Sequence, residues 1–201
     1  MIQLPAPLVK SVDFLELSDK EIISLIVDQG EKKALAVLYD RYAGGVYRKC
    51  LAMCNNTEQA QDLAHDVLLQ SFLKLSSLKN RDSYKFWVNR IAYNVCIDYL
   101  NLKKKMKTDN LDDKSSELVM DDSSNRDEKI LKEIRLEQLE LLFKKLPEQD
   151  RIILLMQYQD ALRIEDISEI LQISNSAVKM RLKRAKEKLA RMYENLAMQE
   201  S

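Results

Sequence analysis

Glycine and proline are scarce in this chain, which has only three of each in 201 residues. A sheet of many short strands needs frequent tight turns, and glycine and proline supply most of them. Leu, Lys, Glu, Ala, Ile and Met dominate the sequence instead. This composition predicts an all-α protein.

Apolar residues at helical spacing form a first block of four predicted helices, residues 18–105. A capping box at Ser18 and Glu21 opens the first helix, and Gly30 ends it. The third helix follows a break at Asn55, with Thr57 as its predicted cap. We therefore expect a four-helix domain.

A second helical block, residues 128–201, follows a polar and acidic stretch, residues 106–127. That stretch contains too few apolar residues to fold alone. The second block has a break before Pro147, which suits the first turn of a helix, and a helix-turn-helix near its end. The sequence thus predicts two helical domains joined by a flexible acidic linker, with residues 1–17 as an N-terminal extension.

Charge is balanced overall but unevenly distributed. Basic and acidic residues number 32 each, so the whole chain has no net field that would attract a polyanion. Residues 1–107 carry 16 basic and 12 acidic side chains, residues 108–141 carry 5 and 11, and residues 142–201 carry 11 and 9. Two mildly basic ends therefore flank an acidic middle.

Several classes of protein are a poor fit to this sequence. No segment offers the ~20 apolar residues of a membrane span, so we expect a cytoplasmic protein without membrane insertion. The chain has no glycine-rich phosphate loop and no nucleophile-base motif, so we do not expect an enzyme. His65 is the only histidine and the three cysteines read as small buried hydrophobes, so no metal site and no other cofactor is expected.

The predicted third helix has two different faces. One face is broadly apolar and suits the domain core. The other carries two carboxylates and two leucines at spacings of four, three and four residues, which we call the docking stripe: Asp62, Asp66, Leu69 and Leu73. Exposed leucines beside charges indicate a protein-docking surface, although a solvated face with two tolerated leucines is about as well supported by the sequence alone.

The predicted fourth helix packs Val88, Ile91, Ala92, Val95, Tyr99 and Leu102 inward by its periodicity. Its far side carries aromatic, basic and amide side chains, which we call the aromatic-basic face: Phe86, Arg90, Tyr93, Asn94, Asn101 and Lys104. Aromatic rings can stack on unpaired bases at ~1 to 3 kcal/mol each, while the polar groups address phosphates and base edges. The alternative is that the aromatic residues are partly buried and the lysines complement the helix dipole, and for Trp87 we favour packing.

The C-terminal helix-turn-helix has the features of a DNA reader. Residues 175–191 contain seven basic residues and one acidic residue, which is unusual in a neutral chain. Ser174 is a suitable cap, and its position leaves helix amides open to a phosphate. The candidate DNA-contacting residues are Ser174, Asn175, Ser176, Lys179, Arg181, Lys183 and Arg184.

The chain resembles the extracytoplasmic-function group of sigma factors, which keep the second and fourth conserved regions of larger sigma proteins. The resemblance rests on five runs in the same order: LYDRYAGGVY (38–47), AQDLAHDVLLQSFLKL (60–75), FWVNRIAYNVCIDYL (86–100), LPEQDRIILLMQY (146–158) and residues 164–189. It implies that the chain binds core RNA polymerase and directs promoter recognition, promoter melting and transcription initiation.

The resemblance also implies a role for each surface. The docking stripe would bind a coiled coil of the polymerase's largest subunit. The aromatic-basic face, joined by Asn80, would open the minus-ten element of promoter DNA, and the helix after Ser174 would read the minus-thirty-five element. Gln172 stands where the family usually has glycine, so we expect a non-glycine residue at positive φ there.

Two other functions are compatible with parts of the sequence. A stand-alone helix-turn-helix regulator would use the first block for sensing or dimerisation and would bind duplex DNA unaided. A helical adaptor would have no DNA role.

Members of the resembled group commonly have an anti-sigma factor, for which the docking stripe is an obvious target.

Overall fold

The structure is a computed structural model that describes residues 14–108 and 136–199. Within those ranges every regular element is helical, which confirms the predicted all-α class. Four long helices make up what we call the N-terminal bundle: α1 (Asp19–Gln29), α2 (Ala34–Cys54), α3 (Thr57–Leu73) and α4 (Tyr84–Thr108), with short 3₁₀ turns at Leu75–Ser77 and Arg81–Ser83 before α4.

In residues 136–199, which the structure describes, four further helices make up the C-terminal unit. They are α5 (Leu136–Lys145), α6 (Glu148–Leu154), α7 (Ile164–Leu171) and α8 (Asn175–Gln199), with a π-turn at Leu155–Gln159 that continues α6. The predicted extension and acidic linker lie mostly outside the described residues. Since α4 continues to Thr108, the first residues of the predicted linker are helical.

Local sequence signals explain where the bundle helices begin and end. Ser18 and Glu21 form the predicted capping box, and Gly30 ends α1 in the left-handed conformation at φ 70°. The Asn56 side chain accepts a hydrogen bond from the backbone N–H of Gln59 at 2.9 Å. Asn56, and not the predicted Thr57, is therefore the cap of α3.

The buried face of α3 is the one that its periodicity predicts. Its side chains pack in the core against α2 and α4: Ala60, Leu63, Ala64, Val67, Leu68 and Ser71. The Ser71 hydroxyl also lies 3.2 Å from the Tyr84 hydroxyl at the start of α4. This contact satisfies two buried polar groups and fixes the start of α4 beside α3.

The predicted inward stripe of α4 is confirmed at the start of the helix and wrong at its end. Val88, Ile91 and Ala92 are buried, whereas Leu102 is exposed. At 1.5 Å per residue, the 25 residues of α4 reach about 37 Å, but the 17 residues of α3 reach about 25 Å. The last turns of α4 thus extend beyond the end of α3 and have fewer side chains to pack against.

The helix-turn-helix forms as predicted. Gln172 ends α7 at φ 53°, which confirms the expected positive φ at this non-glycine position. The Ser174 hydroxyl accepts a hydrogen bond from the backbone N–H of Ala177 at 3.2 Å and so caps α8. The predicted inward stripe of α8 is buried: Val178, Leu182, Ala185 and Leu189.

The bundle and the C-terminal unit are in direct contact. The contact joins α2 to α6 and α4 to α7. It brings side chains that are more than a hundred residues apart in sequence within hydrogen-bonding distance, such as Lys49 and Asp160. In the part of the chain that the structure describes, no helix is both long and apolar enough to cross a bilayer.

Candidate functional site

The docking stripe lies on the solvent side of α3. Asp62 and Asp66 are exposed, and the side chains of Leu69 and Leu73 are 48% and 74% exposed. Leu68, the neighbour of Leu69, is only 2% exposed, because the helix turns by about 100° per residue and Leu68 falls on the core-facing side. The structure therefore brings the four predicted residues together on one surface, with two large apolar side chains in water.

A cleft between α3 and α4 borders this stripe. Its cavity volume is about 460 Å³, and its walls include Asp66 and Gln70 of α3 and Asn94 and Asp98 of α4. The docking stripe and the aromatic-basic face thus lie on adjoining surfaces of the same bundle.

The loop before α4 is clamped to α1. The Arg81 guanidinium donates to both carboxylate oxygens of Asp28, at 2.6 and 2.8 Å, and to the Ser24 hydroxyl at 2.7 Å. The Arg81 hydrogen bond lowers the pKa of Asp28. Asn80, at the start of this loop, is exposed, and its side-chain oxygen accepts from the Asp82 N–H at 3.1 Å. The clamp holds Asn80 in a fixed place beside α4.

Aromatic packing anchors the start of α4. Tyr84 is fully buried and meets the Tyr42 ring edge-on at 4.9 Å between centroids, while Trp87 packs against Tyr84 at 6.0 Å. Burial raises the pKa of Tyr84, so the hydroxyl stays neutral and serves as a hydrogen-bonding group. Trp87 is partly buried in the core, which confirms the interpretation of it as a packing anchor.

Four members of the predicted aromatic-basic face are exposed: Phe86, Asn94, Asn101 and Lys104. Phe86 is 64% exposed, an unusual state for a phenylalanine that has a packed core beside it. Arg90 is half-buried and forms an ion pair with Glu169 of α7. The predicted face is therefore only partly open to solvent.

Tyr93 departs from the prediction of an exposed face. Its side chain is completely buried, and its hydroxyl donates to Asp160 of the C-terminal unit at 2.7 Å. Burial, with a smaller contribution from this hydrogen bond, raises the pKa of the Tyr93 hydroxyl well above its usual range. The prediction failed because it considered α4 alone, whereas the C-terminal unit covers this part of the helix.

The sequence interpretation missed two buried cations in the contact between the two units. Lys49 and Arg151 are nearly inaccessible to solvent. Lys49 lies three residues after Val46 and four before Met53, on the buried stripe of α2. A cation at a core-facing helix position needs a partner from elsewhere in the fold. The position of Lys49 on this stripe was therefore the sequence signal that could have identified it as a buried, paired cation.

Asp160 is the partner of Lys49. Its carboxylate accepts hydrogen bonds from the Lys49 ammonium and from the Tyr93 hydroxyl through the same oxygen. The Lys49 nitrogen also lies 5.0 Å from the centre of the Tyr93 ring, a cation–π distance. One carboxylate of the C-terminal unit therefore joins α2 and α4 of the bundle.

Arg151 bonds to backbone carbonyls instead of a carboxylate. Its guanidinium donates to the Met53 carbonyl at 2.8 Å, and to the Phe143 and Leu146 carbonyls at 3.3 Å. Met53 is near the C-terminus of α2 and Phe143 near that of α5, where unpaired carbonyls carry partial negative charge. Desolvation lowers the pKa of Arg151. Arg151 thus ties the ends of two helices from different units.

Most polar residues of the predicted recognition surface on α8 face solvent. Ser174, Asn175, Ser176, Lys179, Arg181 and Arg184 are exposed. The Ser174 and Ser176 hydroxyls lie 2.9 Å apart, and Lys183 is half-buried and pairs with Glu187 at 3.8 Å. The N-terminal half of α8 therefore presents hydroxyl, amide and cationic groups to solvent.

Family models match both halves of the chain. Sigma-70 region 2 matches residues 38–106, and Sigma-70, region 4 matches residues 136–189, which together span more than half of the chain. The chain therefore belongs to the sigma-70 family of RNA polymerase sigma factors.

Similarity to individual proteins narrows the class. The chain is 28% identical over 176 residues to the ECF RNA polymerase sigma factor SigW of Bacillus subtilis, covering 85% of this chain and 94% of SigW. It is 28% identical over 157 residues to the ECF sigma factor SigM of the same organism, covering 78% of this chain and 93% of SigM. The protein is thus a sigma factor of the ECF group, and it directs RNA polymerase to promoters.

A solved structure supports the fold. The structure of CnrH in complex with the cytosolic domain of CnrY matches with a TM-score of 0.50 at 15% identity, over 88% of this chain and 97% of CnrH.

A stand-alone helix-turn-helix regulator is not favoured, because the first block matches Sigma-70 region 2.

Proposed function

We propose that the docking stripe binds the coiled coil of the largest subunit of core RNA polymerase. The observation that supports this role is the opposite character of the two faces of α3: Leu68 is buried, while Leu69 and Leu73 lie in water beside Asp62 and Asp66. Burial of a leucine side chain contributes ~1.5 to 3 kcal/mol, and the flanking carboxylates favour a partner with basic residues. Such a surface suits a helical partner that is itself amphipathic.

Asn80 and the open part of the aromatic-basic face are proposed to open the minus-ten element and to hold the unpaired strand. Phe86 offers an exposed ring for stacking, Asn80 and Asn94 offer amide groups for base edges, and Lys104 offers charge for phosphates. Asn101 extends the same surface toward the end of α4. Arg90 and Tyr93 belong to the proposed site as well, but they contact the C-terminal unit in this arrangement.

Promoter opening predicts a difference between duplex and premelted templates. We expect Phe86→Ala and Asn94→Ala each to reduce initiation about tenfold on a duplex promoter and by less than about threefold on a premelted one. Only the duplex has to be opened, and these contacts with the unpaired strand offset the cost of that step. Abortive initiation assays on both templates measure this ratio. Lys85→Gln, at an exposed neighbouring position, is the control. An equal loss on the two templates would reject a role in melting.

The N-terminal half of α8 is proposed to read the minus-thirty-five element in the major groove. Asn175, Ser176 and Lys179 would face base edges, while Ser174, Arg181, Lys183 and Arg184 would contact phosphates near the helix start and along its length. This assignment is supported by the exposure of six of these seven residues and by the capped N-terminus of α8.

Salt dependence tests the phosphate contacts. Replacing Arg181 and Arg184 together with glutamine should weaken promoter binding by the holoenzyme and reduce the slope of log affinity against log salt by about 2, since each lost phosphate contact removes ~0.9. Filter binding at several salt concentrations gives the slope. Lys32→Gln, an exposed lysine of the bundle, should leave it unchanged. An unaltered slope in the double variant would favour a helical adaptor without a DNA role.

The protein is proposed to act in the cytoplasm as a non-catalytic initiation factor, without a cofactor. An anti-sigma factor is a further proposed partner. CnrH, which shares the fold, was solved in complex with the cytosolic domain of CnrY. The exposed leucines of the docking stripe offer an inhibitor a surface that the polymerase also needs.

A further inference from the structure

An exposed methionine lies on the helix that the proposed function places in the major groove. Met180 is in the second turn of α8 and is 43% exposed. Its neighbours in sequence, Lys179 and Arg181, are both charged and exposed. None of the DNA contacts proposed above uses Met180, although it lies among the residues assigned to those contacts.

The direction of Met180 follows from the geometry of the helix. The buried stripe of α8 begins with Val178 and Leu182, which are 0% and 7% exposed. At about 100° per residue, Met180 lies about 200° around the helix axis from Val178. Met180 is therefore almost directly opposite the core, at the centre of the outward surface of α8.

Polar and cationic side chains surround Met180 on this surface. Ser176 precedes it by four residues and Arg184 follows it by four, so the three lie along one side of the helix. Lys179 and Arg181 lie about 100° to either side. When a helix enters the major groove, its outermost side chains approach the base edges and its flanks approach the phosphates. The arrangement directs Met180 at bases and the flanking cations at phosphates.

Glu187 limits how much of α8 can enter the groove. It follows Met180 by seven residues on nearly the same side, and its carboxylate lies 3.8 Å from the Lys183 ammonium. Phosphates would repel this carboxylate, so base contacts should end before it. Within residues 175–187, which the structure describes in full, Met180 is the only exposed large hydrophobic side chain.

The chemistry of methionine restricts the base that it can select. The major-groove edges of the bases carry hydrogen-bond donors and acceptors, and thymine adds a 5-methyl group. A thioether has no donor and is a weak acceptor, so it would leave polar base edges without a hydrogen-bonding partner. Against the thymine methyl it removes apolar surface of both partners from water, and its unbranched chain adapts to the shape of the groove.

We propose that Met180 is a base-selecting residue of α8, whose side chain packs against the 5-methyl group of a thymine in the minus-thirty-five element. The proposal rests on the proposed function of α8 and adds the identity of one base to it. The element should therefore contain a thymine where the second turn of α8 meets the groove.

Single replacements of thymine by uracil test this contact, because uracil keeps the hydrogen-bonding groups of thymine and lacks only the methyl group. Duplex fragments of a promoter that the holoenzyme transcribes, each with one thymine of the minus-thirty-five element replaced by deoxyuridine, are titrated in filter-binding assays. With the wild-type protein, we expect one replacement to weaken binding about fourfold, as the loss of one buried methyl group predicts.

Variants at two methionines of α8 assign the effect. Met180→Ala should bind the unmodified promoter about fourfold more weakly and should lose no further affinity at the sensitive uracil position. Met180→Leu keeps an apolar side chain and should keep the dependence on the methyl group. Met198→Ala removes a methionine that is 76% exposed near the other end of α8, and it should behave like the wild type.

The results separate the contact from the wider role of α8. The contact would be overturned by equal methyl dependence in the wild type and in Met180→Ala, by the absence of any sensitive position, or by an element without thymine on either strand. Replacement of the whole element by unrelated sequence should still weaken binding in those cases if α8 reads it. If that replacement leaves wild-type affinity unchanged, the proposed function of α8 is contradicted, and the Met180 contact with it.

Discussion

Leu69→Asp combined with Leu73→Asp is expected to weaken binding to core RNA polymerase at least about a thousandfold. Each substitution places a carboxylate where the proposed interface buries a leucine, and the loss of one such contact costs ~2 kcal/mol or more. Two losses amount to about 4 kcal/mol, which corresponds to roughly three powers of ten in the dissociation constant. Fluorescence anisotropy of labelled protein titrated with purified core enzyme measures the change.

The same substitutions should leave the fold intact, because both leucines already lie in water. We expect the free energy of unfolding to fall by no more than about 2 kcal/mol, because the new carboxylates lie near the C-terminus of α3 and beside Asp66. Gln61→Asp, at an exposed position outside the stripe, controls for added negative charge on α3. Wild-type affinity for core enzyme in the double variant would contradict the docking assignment.

Leu68→Ala, one residue away, is expected to have the opposite profile. Leu68 is 2% exposed and belongs to the core between α3 and its neighbours. Truncation of such a leucine removes buried apolar surface and leaves a cavity, at a cost of ~2 to 5 kcal/mol. Urea unfolding followed by circular dichroism should show a midpoint well below that of the wild type.

The loss of stability is expected to differ between the adjacent positions 68 and 69. Leu69→Ala removes the same number of atoms from the same helix and should lower stability by less than about 0.5 kcal/mol. Similar losses of stability at positions 68 and 69 would mean that α3 does not have one buried and one exposed face.

The sequence was sufficient to predict elements that depend on local rules. Helical periodicity located the two faces of α3, because residues three or four apart share a face. Cap chemistry located Ser18, Gly30 and Ser174, since unpaired backbone groups at helix ends need side chains or special φ values. The positive φ at Gln172 was expected from the resemblance instead, because the family usually has glycine at this position of the turn.

Features that depend on packing between distant segments were missed. The buried position of Tyr93 depends on Asp160, which is 67 residues away in sequence. Periodicity along α4 could separate its two faces but could not show that a second unit covers one of them. Lys49 gave a usable signal as a cation on a buried stripe, yet nothing local could identify Asp160 as its partner.

The docking stripe and the aromatic-basic face differ in how much they depend on the C-terminal unit. The docking stripe needs only α3 and its core, whereas the use of Arg90 and Tyr93 on DNA requires the C-terminal unit to move away. Core binding is therefore expected to depend on Leu69 whether or not the two units are in contact. Use of Arg90 and Tyr93 on DNA should require that the two units separate.

Run-off transcription with purified core RNA polymerase tests the central claim most directly. With promoter templates from the source genome, the wild-type protein should yield discrete transcripts that core enzyme alone does not make. The variant with Leu69→Asp and Leu73→Asp should yield none at the same concentration. Equal transcription by that folded variant, or no transcript from the wild-type protein on any template, would contradict the assignment of α3 as the polymerase-binding helix of a sigma factor.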